Sequence, residues 1–159
     1  MVRLFWISNL ISLNLMYLKH IKMDEIISYA QKSGMKRIGI AYCISLQKEA
    51  KKLKLRLAEQ FEVYSIDCKY GKIPSGELLG TESKMLSCNP AGQAEYLAQN
   101  YTELNISFGL CLGHDNIFSQ KSKAPVTTLV VKDRKYKNNP YKEFEVKNEI
   151  IYDNKTLEL

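Results

Sequence analysis

The sequence predicts an α/β fold: a three-layer, Rossmann-like sandwich with a mostly parallel sheet of about four strands and a weakly signalled C-terminal hairpin. Three observations carry this expectation. Short apolar runs rich in β-formers alternate with helical stretches, an order that places helices as crossovers over a parallel sheet. No internal repeat or low-complexity tract interrupts the alternation. The length, 159 residues, suits one domain, and a composition 45% hydrophobic and 25% charged is that of an ordinary globular protein.

The elements follow in order. "MDEIISYAQKSGM" sets Ile26, Ile27 and Ala30 at helical spacing and stops at Gly34, a natural residue just past a helix end. "KRIGIAYC" is a short apolar run suited to a buried parallel strand. "SLQKEAKKLKLRLAEQF" places Leu46, Ala50, Leu53, Leu57 and Phe61 near one helical face, and "FEVYSIDC" supplies the next strand. Residues 69–86, rich in Gly, Pro and Ser and without a period, read as a long loop with one helical turn, and loops of that length tend to be functional. "NPAGQAEYLAQN" opens a helix with Asn89 as cap and Pro90 in the first helical position. "ELNISFGLC" is the third strand, "HDNIFSQKS" a short helix and "PVTTLVVKD" the fourth strand. The tail carries two β-like runs split by "DNK". The expected organisation is an irregular or partly helical extension (1–22), one α/β domain (23–142) and a β-like tail packed on it (143–159).

Charge narrows the partners. The net charge is +6, but Arg3, Lys19 and Lys22 stand in an acid-free first 22 residues, so the remainder is only mildly basic. The densest run, "KEAKKLKLR", interleaves apolar residues at helical spacing and reads as the wet side of an amphipathic helix, so no nucleic-acid partner is expected. Asn9, Ser12 and Asn14 break the apolar N-terminal run, no small-residue cleavage site follows, and the run is short for a membrane span. A cytoplasmic protein with no membrane partner is expected. The sticky N-terminal run leaves a homo-oligomer open.

Four cysteines, Cys43, Cys68, Cys88 and Cys111, lie 25, 20 and 23 residues apart, and none forms a CxxC pair. Without an export signal they read as reduced thiols or metal thiolates rather than disulfides. Cys43, Cys68 and Cys111 each end a predicted strand, and Cys88 precedes a predicted helix. In an open parallel sheet those positions share the carboxyl edge, where ligands bind. Against this stands the bland reading of each cysteine as a small buried hydrophobe, which is strongest for Cys43 among the apolar neighbours of "IAYCISL". Cys111 and His114, spaced C-x-x-H, are expected to turn toward one ion because Gly113 frees the backbone between them. Thiolates with an imidazole suit zinc or an iron–sulfur cluster, held by Cys43, Cys68, Cys88, Cys111 and His114. The alternative is a thiol-dependent enzyme on a small-molecule substrate. There Cys88 or Cys111 is the nucleophile, His114 the base, Asp115 or Glu82 its orienting partner, and Ser83 and Lys84 line the pocket. The glycines form no phosphate-binding motif.

Three blocks, "KRIGIAYC", "ESKMLSCNPAGQAEYLAQNYTELNISFGLCLGHD" and "SKAPVTTLVVKDR…NNP", resemble the domain of unknown function 1847 family, described as uncharacterised metal-binding proteins of bacteria and archaea. The resemblance spans about residues 17 to 142. It implies metal, with the family's cysteines matched by Cys43, Cys68, Cys88 and Cys111 and its Gly-His-Asp by Gly113, His114 and Asp115; it implies no reaction. Members usually begin with a cysteine-rich segment. In its place this chain has the cysteine-free "MVRLFWISNLISLNLMYL", as expected of a shortened member or an irregular start.

Overall fold

The structure, a computed structural model, describes residues 21–145, apart from the side chains of residues 78 and 79. Helix α1 (Lys22–Lys32) carries Asp24 and Glu25 in its first turn and Lys32 in its last, each opposing the nearby end of the helix dipole. It buries Ile26, Ile27 and Ala30 and closes where Gly34 takes φ +70° while the Met35 N–H bonds Ala30 C=O. Strand β1 (Arg37–Tyr42) follows, then a 3₁₀ turn (Ile44–Leu46) leading into α2 (Gln47–Ala58), which buries Ala50, Leu53 and Leu57. Strand β2 is Glu62–Asp67 and α3 is the short Ser75–Leu79, ended by Gly80 at φ +63°. Helix α4 (Pro90–Gln99) is capped by the Asn89 side chain, which accepts the Gly92 N–H. Then come β3 (Leu104–Phe108), α5 (Leu112–Lys121), β4 (Val126–Val130) and the short α6 (Lys142–Glu145).

All four strands are parallel, in the order β2-β1-β3-β4. Side-chain alternation divides the central strands between two cores. Ile38, Ile40, Leu104, Ile106 and Phe108 meet the apolar faces of α1 and α2, while Ala41 packs on the other side with Leu97 of α4 and Phe118 of α5. The expected three layers are present: β1 is apolar on both faces because both are covered, while β3 turns Leu104, Ile106 and Phe108 to one core and the buried, hydrogen-bonded Asn105 and Ser107 to the other.

One expectation changes at the C-terminus. The first residues of the expected β-like tail, 143–145, belong to a helical turn that starts at Lys142, because after Pro140 the N–H groups of Glu143 and Phe144 bond carbonyls three residues back. The expected hairpin lies outside the described residues, as does nearly all of the N-terminal extension. Among the described residues no helix is long and apolar enough to cross a membrane.

Candidate functional site

Strand register builds the site. Tyr42 of β1 pairs with Asp67 of β2, so the next residues, Cys43 and Cys68, leave the sheet side by side. The chain then runs out through 69–87 and returns: Ser87 N–H bonds Ile73 C=O, Pro74 bridges Leu86, and Asn89 N–H bonds Cys68 C=O at 2.8 Å. That last bond sets Cys88 against Cys68, with their sulfurs 3.7 Å apart. Cys68 is 2% exposed, and Cys43 and Cys88 are half-buried against the same apolar cluster of Ala41, Ala94, Leu97, Leu110 and Phe118. All four cysteines are free thiols.

Cys68 and Cys43 differ electrostatically. Burial pushes the Cys68 thiol up to about 12, although the Ile44 N–H points at its sulfur from 3.5 Å and opposes the shift; the neighbouring Cys88 and Cys43 thiols add to it. Cys43 goes the other way. Partial burial works to raise it, but hydrogen bonds with Ser45, at 3.3 Å, and the Lys132 ammonium, at 3.6 Å, outweigh burial and hold the thiol below its ordinary value.

Cys111 is organised differently from its expected form. Strand β3 stops at Phe108, and the turning glycine is Gly109, at φ +68°, whose missing side chain leaves room for Leu46. Gly113 lies inside the first turn of α5, a correction to its expected role as the flexible link between Cys111 and His114. The helix itself makes the pair: Cys111 is the N-cap, His114 stands three residues on, and Sγ lies 3.2 Å from Nδ1. Asp115, expected to orient His114, gives its carboxylate to Ser107 of β3 and, at 3.5 Å, to the Thr128 hydroxyl. Glu82 and Lys84 are exposed, and Ser83 bonds Ser75 at 2.9 Å across α3.

The expected donor set is thus split into Cys68 with Cys88, Cys43 beside them under Ser45 and Lys132, and Cys111 with His114. Among the described residues no three His, Cys, Asp or Glu side chains stand together as a metal-binding group. The Cys68–Cys88 pair does have the spacing of two thiolates on one tetrahedral ion, since Zn–S bonds of about 2.3 Å put sulfurs about 3.8 Å apart.

Sequence reasoning missed three residues here. Lys132 and Ser45 became visible only through the fold. Gln93, fully buried in α4, donates from Nε2 to Ile66 C=O at 3.0 Å and Tyr42 C=O at 3.2 Å, tying the carboxyl ends of β1 and β2 to the helix. Its Oε1 is buried and, among the described residues, has no hydrogen-bond partner, an acceptor beside the thiols' strands. A glutamine at a core-facing helical position is the signal that could have found it. A cavity of about 300 Å³ opens between α1 and the starts of β3 and β4, at the opposite edge of the sheet from these groups.

Fold and site together define an α/β protein with a thiol-bearing carboxyl edge. The chain belongs to the family described as protein of unknown function (DUF1847), whose model matches residues 7–129. It is 45% identical over 133 residues to the uncharacterized protein MJ0455 of Methanocaldococcus jannaschii, an alignment covering 77% of this chain and 66% of that relative. This chain therefore matches just under two thirds of the relative's length. No solved structure matches it.

Proposed function

We propose that the protein binds a thiophilic metal, zinc or an iron–sulfur centre, through Cys68 and Cys88 with Cys43 as third donor. The observation that carries this reading is the 3.7 Å separation of the Cys68 and Cys88 sulfurs, contributed by β2 and by the segment entering α4. Cys43 packs on the same cluster and would join by turning from Ser45 and Lys132 toward Cys68. When bound, such an ion supplies Lewis-acid or electron-transfer chemistry. The chain's own groups supply a dry apolar floor and, in Lys132, a cation that offsets thiolate charge.

Anaerobic purification, elemental analysis and an absorption spectrum test the reading. Stoichiometric zinc or iron is expected in the wild type. Content should fall several-fold in Cys68→Ser and Cys88→Ser and be retained in Cys111→Ser and His114→Ala. A metal-free anaerobic preparation would falsify it.

A second reading is favoured by a separate observation, the 3.2 Å contact of Cys111 with His114. That pair suits a thiol nucleophile with an adjacent base acting on a small electrophile. If it operates, Cys111 alkylates fastest of the four thiols and His114→Ala slows it at least tenfold, with the other three unchanged.

A further inference from the structure

We propose that Cys68 and Cys88 form a reversible disulfide, with Cys88 as the attacking thiol and Cys68 as the resolving one. The pairing stands on geometry alone. Its consequence, that oxidation withdraws two donors and releases metal, rests on the reading above.

The two sulfurs, 3.7 Å apart, must close to about 2.05 Å, a movement of under 2 Å. The backbone beneath them is already joined by the Asn89 N–H to Cys68 C=O bond. The intervening segment is likewise already folded back, through the Pro74–Leu86 bridge and the bond from Lys69 Nζ to Leu86 C=O. A disulfide here staples the base of a closed loop and asks for no new chain path. The roles follow from access: Cys88 is half-buried and open to a small reagent, whereas Cys68 is 2% exposed and is reached in the fold by Cys88.

The oxidant is a small-molecule disulfide such as oxidised glutathione. Cys88 loses its proton and attacks one sulfur of the reagent, forming a mixed disulfide and releasing one small thiolate. Cys68 then loses its proton and attacks the Cys88 sulfur, forming the protein disulfide and releasing the second small thiolate. The two protons neutralise the two released thiolates. Two protein thiols are oxidised and one small disulfide is reduced.

The full chain, stripped of metal by a chelator and reduced, is exposed to oxidised glutathione and read by intact mass and peptide mapping. Wild type and the Cys43→Ser/Cys111→Ser double variant are expected to lose the mass of two hydrogens, with Cys68 mapped to Cys88. Cys68→Ser should instead accumulate glutathione on Cys88, and added reduced dithiothreitol should restore the dithiol. The idea is overturned if Cys88 keeps glutathione equally in wild type and Cys68→Ser, or if another pairing dominates. A zinc-loaded arm separates the two readings. Zinc that binds and blocks oxidation supports both. Disulfide formation in a protein that binds no zinc upholds the pair and defeats the metal reading; zinc binding without disulfide formation in the stripped protein does the reverse.

Discussion

Single side chains at the sheet's centre decide how closely α4 can approach. Gly39 of β1 lies where a Cβ would land on Asn105 Oδ1 and within 2.9 Å of Leu97 Cδ1. Asn105 cannot step aside freely, because Thr102 Oγ1 donates to its Oδ1 at 2.8 Å and its Nδ2 donates to Ser122 Oγ at 2.7 Å. Gly39→Ala is therefore expected to cost about 1–3 kcal/mol, the usual range for overpacking a tight core, and to lower the melting temperature by roughly 2–4 °C per kcal/mol. An unchanged melting curve would refute that account. Glu103 offers a pH prediction. The backbone N–H groups of Lys36, at 2.6 Å, and Arg37, at 2.8 Å, bond its carboxylate and hold it below its ordinary value. A depressed folded-state carboxyl stabilises above its unfolded value, about 4.3, and that contribution is lost as pH falls through the folded value. Glu103→Gln should melt lower than wild type at neutral pH, with the gap closing below about pH 4; a gap independent of pH would contradict this.

At the scale of elements, α4 is the piece that completes the thiol edge. Its cap is specific: Asn89 Oδ1 accepts the Gly92 N–H at 2.8 Å while Nδ2 donates to Tyr70 C=O at 3.3 Å, so one side chain ends the loop and starts the helix. Asn89→Ala is expected to cost about 1 kcal/mol, as lost caps do. It should also raise the alkylation rate of Cys88 in the metal-free protein, since the cap holds that segment against the sheet. A stability loss with no change at Cys88 would mean that the backbone bond from Asn89 to Cys68 suffices alone. Helix α5 shows the same economy, since its first turn sets Cys111 beside His114 while Asp115 bonds back to β3 and β4.

Across the whole molecule, a metal held by Cys43, Cys68 and Cys88 would tie β1, β2 and the entry to α4 into one unit. Anything that binds the native state alone raises its apparent stability. Chelation of the purified wild type should therefore lower its melting temperature by several degrees, on the scale of roughly 2–4 °C per kcal/mol. Cys68→Ser should melt at the same temperature with and without chelator. Equal melting of chelated and untreated wild type, in a preparation shown to contain metal, would remove the three-element tie.

The sequence by itself determined the layers, the strand count and the family. Each of these rests on local patterning: Ile26, Ile27 and Ala30 spaced for a helix, β1 apolar on both faces, Asn89-Pro90 opening α4. It also placed Cys43, Cys68 and Cys88 near one sheet edge, because a parallel sheet gives strand ends a common address. It singled out Cys43 as the blandest thiol and paired Cys111 with His114, but it could not tell that Cys68 stands with Cys88 apart from that pair. The α5 boundary was legible to within two residues, yet that shift moved Gly113 from linker to helix and transferred the turn to Gly109. Tertiary structure alone decided that Cys68 meets Cys88, that Lys132 and Ser45 attend Cys43, and that Asp115 serves Ser107 and Thr128. The reason is physical. Secondary-structure periodicity is written in neighbouring residues, whereas the distance between two sulfurs depends on strand register and on where a loop's return hydrogen bonds fall.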